Sequence, residues 1–511
     1  MRPMICNSIT NAGLALLCIW SLSACNHPEK ATAGEGNNQP NFLFILSDDQ
    51  SWQHTSFAGY PLIETPNFDR IAREGVYFSN AFATAPSCTA SRSSILAGQP
   101  IWRLGSGANL WGEYPSQMIS FQKILRQAGY QTGSSGKLWG PGYVPADSPL
   151  PTGQAYSNIK RSVPEWIGPV DYPANFDVFL DRLPAGTPFS FWVGSAEPHR
   201  PYHPRPVDRF SSADSRRYLP ATMPDTRDAR LQFSAYLDEI EYFDRDVGRL
   251  LAVLEKRGLL ENTVVIITSD NGMPFPRGKP NNYDYGVRVP LSIRGSPFVK
   301  GGRVVDDFVS LQDIAPSLLD LAGVPIPKAV TGSSLRYALE SDRSGVVDPK
   351  RDASFTAFER HAGYIRGGDE HLTYPRRAIH TDDFVYIRNY FPERWPLGDP
   401  PEYAEAYRTL LVDHKSQQPL EPFFSLAVGK RPSEELFDMT LDPHQLTNLA
   451  NDPRYLEIKR KLANRLQAEL IATNDPLTVL EQDIFQSFKY WGPLPTTKPD
   501  TKAQPNLNQR Q

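Results

Sequence analysis

Asn41-Phe42-Leu43-Phe44-Ile45-Leu46-Ser47-Asp48-Asp49-Gln50 opens the folded part of the chain. Its apolar run does not alternate with polar residues, which is the pattern of a parallel strand covered on both faces. The run stops at two adjacent carboxylates. In open α/β sheets ligands collect beyond the carboxyl ends of strands. Adjacent carboxylates repel, and a cation between them resolves the repulsion. A polar turn capping a helix explains one such pair equally well. The pattern recurs, however. Thr263-Val264-Val265-Ile266-Ile267-Thr268 is a second buried strand, and it ends at Ser269-Asp270-Asn271-Gly272. Two strands that each deliver two oxygen-bearing residues are harder to explain as turns. Asp48, Asp49, Asp270 and Asn271 form a hard-oxygen set that suits calcium or magnesium better than zinc.

Between these strands lies Ala85-Pro86-Ser87-Cys88-Thr89-Ala90-Ser91-Arg92-Ser93-Ser94-Ile95-Leu96-Ala97-Gly98. A turn runs into a helix over residues 91–97, closed by Gly98. Cys88 then sits just before a helix N-terminus, where free N–H groups favour an anion or a thiolate. Arg92 offers five fixed donors suited to an oxyanion. A lone cysteine is more often an inert core residue, so its neighbours decide its reading. Ser134-Ser135-Gly136-Lys137-Leu138-Trp139-Gly140 follows an expected strand. Phe189-Ser190-Phe191-Trp192-Val193-Gly194 is another, leading to Ser195-Ala196-Glu197-Pro198-His199-Arg200-Pro201. Arg277-Gly278-Lys279-Pro280-Asn281-Asn282-Tyr283-Asp284-Tyr285-Gly286-Val287-Arg288-Val289-Pro290 follows the second acidic corner.

Residues 88–92 resemble the sulfatase signature Cys-x-(Pro/Ala)-Ser-Arg, and the later blocks follow in that family's order. The resemblance implies an alkaline-phosphatase-like α/β fold: a large, mixed, mostly parallel sheet flanked by helices, with a smaller C-terminal α+β subdomain containing an antiparallel sheet. It implies that Cys88 is oxidised to formylglycine by a sulfatase-maturating enzyme. It also implies that calcium is held by Asp48, Asp49, Asp270, Asn271 and the residue-88 oxygen. By the same resemblance Arg92, Lys137, Lys279 and His199 surround the sulfate, with His199 protonating the leaving group. Two positions depart from the family pattern. Trp139 stands where Gly-Lys-x-His places the histidine that takes a proton as the aldehyde is regenerated. Asp284 replaces a glutamate.

The chain has 511 residues, net charge −4 and 22% charged residues. That length predicts two domains plus appendages, and the charge excludes a global basic field for nucleic acid. The four cysteines are Cys6, Cys18, Cys25 and Cys88. Arg2 and the apolar stretch 12–20 form an export signal too short to span a bilayer. Leu22-Ser23-Ala24-Cys25 resembles a bacterial lipobox with Cys25 as the lipidated residue, and Asn26 resembles outer-membrane sorting. The expectation is an exported lipoprotein, held at the outer membrane on its periplasmic or outer side by the lipid alone. Cys88 would then be a lone cysteine in an oxidising compartment.

The expected organisation is a signal over 1–25, a tether over 26–40, a catalytic domain over 41–375, a C-terminal subdomain over 376–485 and a polar tail over 486–511. The tether would reach about 20 Å. Residues 141–188 read as a long loop over the site, and 354–358 as the last strand of the main sheet. Glu359-Arg360-His361 followed by Tyr374-Pro375-Arg376-Arg377 is closest to the heparan N-sulfatase branch. Arg200, Glu359, Arg360 and His361 are the candidate substrate-binding residues; a salt-bridged strand end is the competing reading for 359–361. The function implied is sulfate hydrolysis on a glycosaminoglycan or algal glycan. A phosphoester or phosphonate hydrolase on the same scaffold, or a non-catalytic sulfated-glycan-binding lipoprotein, are the alternatives.

Overall fold

The computed structural model describes residues 39–146, 148, 151–203, 207–361, 373–396, 410–413, 415–480 and 482–492. The expected export signal, Cys25 and residues 26–38 of the expected tether lie outside the described residues, as do residues 493–511.

The main sheet contains β1 (Asn41–Ser47), β2 (Val76–Phe82), β3 (Gln131–Gly136), β4 (Gln154–Ala155), β5 (Phe189–Gly194), β6 (Thr263–Ser269), β7 (Leu291–Arg294) and β8 (Arg303–Ser310). Their order is β4-β3-β5-β1-β6-β7-β2-β8. Only β7 runs against the others; it pairs antiparallel with both β6 and β2. The remaining pairs, including β1 with β5 and with β6, are parallel. The carboxyl ends of β1, β2, β3, β5 and β6 therefore meet along one edge.

Helices cover both faces, which is why the central strands carry no polar alternation. Phe42, Phe44, Leu46, Trp192, Val264 and Ile266 face one core, against Ile95, Leu96 and Phe121. The alternate residues Leu43, Ile45, Phe191, Val193, Val265 and Ile267 face the other, against Phe68, Phe176, Phe179 and the long helix Arg227–Lys256.

Part of the region read as loop is helical. Tyr172–Asp181 is a helix, N-capped by Asp171, whose side chain accepts from the Ala174 N–H at 3.2 Å, with Pro173 in its first turn. That Asp-x-Pro pattern is a helix-start signal. The helix predicted over 91–97 begins earlier, at Cys88 itself, with Ser87 as N-cap. It ends at Gly98, whose φ of 63° is left-handed and whose N–H donates to Ser94 O.

A second sheet contains β9 (Ser354–Phe358), β10 (Arg376–His380) and β11 (Phe384–Asn389). A small hairpin of β12 (Val412–Asp413) and β13 (Gln418–Pro419) follows, and β14 (Glu434–Asp438) then completes the second sheet. Its order is β14-β11-β10-β9, all antiparallel. Residues 354–358 thus belong to this sheet and not to the main one, so the C-terminal layer begins before residue 376. It is fastened close to Cys88: Ala357 N–H donates to Thr84 O at 2.8 Å, and Ala85 and Ala90 share a core with Ala357, Ile379 and Leu466. Residues 486–492, expected in the polar tail, include packed positions. Trp491 stacks on Tyr143 at 4.1 Å and its N–H donates to Trp111 O.

Arg377 is fully buried between two acids. Its Nη2 lies 2.7 Å from Glu359 Oε1, and its Nε 2.7 Å from Asp475 Oδ2. Removing one partner of such a buried set leaves an uncompensated charge, at a cost of about 3–5 kcal/mol. Arg377→Met is expected to lower unfolding stability by that amount in urea denaturation, whereas Arg460→Met, on an exposed helix face, is expected to change it by less than about 0.5 kcal/mol.

Candidate active site

The ladder of the main sheet continues past its strand ends and places the polar residues. Asp48 N–H donates to Glu197 O, Asp270 N–H to Ser47 O and Lys137 N–H to Gly194 O. Gly194 permits the last contact, since a Cβ there would stand 1.7 Å from Lys137 O. Asp48 and Asp49 follow β1, Asp270 and Asn271 follow β6, Lys137 follows β3, and His199 lies just beyond β5. The segment after β2 leads to the helix that starts at Cys88. Lys279 arrives from the loop after β6, where its N–H donates to Met273 O. Arg376 braces that loop through Pro280 O at 2.6 Å and Asn281 Oδ1 at 2.9 Å.

Ligand atoms of Asp48, Asp49, Cys88 and Asp270 all lie within 4.8 Å of one another, and all four residues are buried. Asn271 Nδ2 donates to Asp49 Oδ1 at 2.7 Å, while Asn271 Oδ1 is buried with no donor. A buried acceptor left without a donor is costly. Beside three carboxylates, it fits a cation. The oxygen donors suit a hard divalent ion.

The carboxylates also hold a ring of positive side chains. Arg92 Nε donates to Asp270 Oδ2 at 2.8 Å, and Nη1 to Lys137 O. Lys137 Nζ bonds Asp48 Oδ2. Lys279 Nζ lies 2.6 Å from Asp49 Oδ1 and 2.8 Å from Cys88 Sγ. Burial opposes the Asp48 charge, yet Lys137, then His199, Arg92 and Lys279, hold its carboxyl well below the usual range. Burial raises Asp49 and Asp270, with the Asp48 charge adding to it. Burial, then Asp48, pushes the Cys88 thiol up to about 12.

Two histidines meet the cluster. His199 Nδ1–H donates to Arg200 O at 2.6 Å, which leaves Nε2 as the working nitrogen, 3.9 Å from Asp49 Oδ2. His361 Nδ1 lies 3.1 Å from Ser87 Oγ, on the residue preceding Cys88. Burial, then Lys279, His199 and Lys137, hold the His361 ring well below the usual histidine range.

Three residues expected to contact substrate are engaged by the protein itself. Glu359 is buried against Arg377. Arg360 is buried and donates to Phe488 O at 3.1 Å. Both side chains are engaged inside the protein at the end of β9, one by Arg377 and one by Phe488 O. Arg200 folds over the Tyr202 and Phe275 rings and donates to Pro274 O, which makes it a brace of that loop. Trp139 points into the core, where its indole N–H donates to Ser93 Oγ at 2.7 Å and its ring meets Tyr114 edge-on. No proton acceptor stands at that position. Ser87, Glu197 and Arg376 act as positioning residues that no local sequence signal marks. Arg376 lay inside a quoted motif, but nothing in the sequence pairs it with Pro280.

The mostly parallel sheet flanked by helices, with a separate antiparallel sheet, is an alkaline-phosphatase-like fold. The sulfatase family profile matches residues 40–324, more than half of the chain, and the chain belongs to the sulfatase family. It is a sulfuric ester hydrolase. The profile for the C-terminal part of N-sulphoglucosamine sulphohydrolase matches residues 278–420. Human N-sulphoglucosamine sulphohydrolase is 29% identical over 484 residues, covering 85% of this chain and 91% of that protein. An ulvan-active sulfatase of Formosa agariphila is 25% identical over 493 residues, covering 91% and 80%. A structure solved with its substrate D-glucosamine-2-N,6-O-disulfate superposes with a TM-score of 0.63 at 22% identity, covering 86% of this chain and 98% of that one.

Calcium added to chelator-treated protein is expected to raise the melting temperature, because an ion at about 100 times its Kd contributes about 2.7 kcal/mol. Asp270→Ala is expected to abolish that response. A calcium response that survives Asp270→Ala would place the ion elsewhere.

Proposed function

We propose that this chain removes sulfate from a sulfated carbohydrate, with residue 88 as formylglycine and calcium bound by Asp48, Asp49, Asp270 and Asn271. The observation that carries the reading is the convergence of the unpartnered Asn271 Oδ1, three buried carboxylates and residue 88 in one pocket. When present, the two groups supply an aldehyde-hydrate hydroxyl as nucleophile and a Lewis acid that favours its ionised form. The maturation step requires a sulfatase-maturating enzyme as partner.

The chain's own residues do the rest. A sulfate ester brings negative charge toward a nucleophile of the same sign, so charge must be neutralised before attack. Lys137 and Lys279, held by Asp48 and Asp49, provide that neutralisation, and Arg92 braces both Asp270 and the Lys137 backbone. Removing one preorganised donor lowers turnover by about 10²–10³-fold. His199 keeps Nδ1 on a backbone carbonyl and offers Nε2 to the departing oxygen or nitrogen.

The substrate class we infer is a sulfated glucosamine. It is supported by the C-terminal profile match and by the human relative, whose name is that of a sulphoglucosamine hydrolase. We also infer export and outer-membrane anchoring through Cys25, from the lipobox-like sequence; membrane release of a Cys25→Ala variant tests it.

Free-sulfate release from defined heparan, chondroitin, ulvan and carrageenan oligosaccharides, alongside phosphate and phosphonate esters, tests the reaction and the substrate together. The expected result is turnover of a glucosamine sulfate, with ulvan and the phosphorus esters at least tenfold slower. Cys88→Ala is expected to lose turnover with normal folding, and Lys279→Ala to lose about 10²–10³-fold. Preference for phosphorus esters, or full activity in Cys88→Ala, would overturn the reading.

A further inference from the structure

Position 139 leaves a task without a residue. Regenerating an aldehyde after sulfate transfer requires a base, and Trp139 is locked into the core by its bond to Ser93. Its neighbour Gly140 cannot stand in, since a Cβ there would already press on Thr89. The carboxylates at the site are committed to the acidic corner, and both lysines are bonded to those carboxylates. His199 is oriented by the Arg200 carbonyl for the leaving group. Among the described residues, three other histidines have structural bonds: His54 with Tyr236, His380 with Asp284 and Thr356, and His444 with Tyr285; His203 Nε2 is buried without a hydrogen-bond partner.

His361 differs from these. It follows β9, the strand that Thr84 O fastens to the Cys88 segment. Its Nδ1 is tied to Ser87 Oγ, one residue from position 88, within the electrostatic reach of Lys279, His199 and Lys137. With Nδ1–H donating to the serine oxygen, Nε2 carries the lone pair.

We propose that His361 is a catalytic base, which takes the proton from residue 88 as sulfate leaves and so replaces the histidine that Trp139 excludes. The proposal rests on the formylglycine reading above. In the step, the bond between the residue-88 carbon and the sulfate oxygen breaks, and its electron pair leaves with sulfate. The O–H bond of the remaining hydroxyl on that carbon supplies the pair that forms C=O. The proton moves to His361 Nε2 and then to water, and no oxidant or reductant is consumed.

The test separates the two halves of the reaction. Wild type, His361→Asn, His361→Gln and His199→Asn are mixed with a sulfated glucosamine substrate. Desulfated product is followed from the first turnover, and the peptide containing residue 88 is weighed by mass spectrometry. Both His361 variants are expected to release about one equivalent of product rapidly. They are then expected to turn over about 10²–10⁴-fold more slowly, the range for a lost acid–base group, with a sulfo group retained on residue 88. His199→Asn is expected to slow the first equivalent and retain none. Two variants of different length guard against misfolding, which near-ultraviolet circular dichroism checks. A thiol mass at residue 88 in wild type overturns both the formylglycine reading and this inference. An aldehyde mass there, with no retained sulfo group and only a raised KM in the His361 variants, overturns this inference alone.

Discussion

Three carboxylates buried within a few ångströms of one another are the constraint on which this structure is built. Asp48, Asp49 and Asp270 are at most 1% exposed, and each would be raised toward neutrality if it stood alone. They are forced together by the register of β1 against β6, in which Ser47 lies opposite Ser269. That register is fixed by two hydrophobic cores, because a one-residue slip would exchange the faces of every apolar side chain in both strands. The acidic corner is therefore a consequence of how the interior packs. Local compensation follows from it. Arg92, Lys137 and Lys279 come from three separate segments, and each reaches a carboxylate of the corner.

This arrangement couples stability to chemistry. The cations that hold the corner together are also the groups that would meet an anionic ester. The helix beginning at Cys88 contributes its first residue to the corner and its fifth, Arg92, to the balance of charge. The C-terminal layer adds a further constraint from the opposite side. The Thr84–Ala357 bond and the shared core at Ala85 and Ala90 clamp the cysteine segment, while Arg376 holds the Lys279 loop by its backbone. The second sheet thereby buttresses the site, and the buried Arg377 set ties β10 to Glu359 and to Asp475.

Much of this was legible in the chain. Apolar runs without alternation identified β1, β5 and β6, and the residues that stop each run identified the corner and His199. The helix at 172–181 was hidden by proline- and glycine-rich surroundings, although Asp171 and Pro173 marked its start. The sheet that 354–358 joins is not legible in the sequence, because its partner, β10, begins beyond an intervening segment and nothing local specifies pairing. Glu359, Arg360 and His361 looked like one unit, but extended backbone sends neighbours in different directions. One pairs with Arg377, one packs toward Phe488, and one reaches Ser87. Trp139 was recognised as a departure from the pattern, but its direction into the core depended on Ser93 and Tyr114, which no sequence motif connects to it.

The account turns on a divalent ion at this corner beside a modified residue 88. A crystal structure of matured protein grown with calcium, with anomalous scattering recorded, tests that most directly. The account predicts one ion with oxygen ligands at about 2.3–2.6 Å from Asp48, Asp49, Asp270 and Asn271, and an oxygen rather than a sulfur on the side chain of residue 88. Anomalous signal absent from that corner, with Asn271 Oδ1 turned onto a protein donor and sulfur still at position 88, would contradict it.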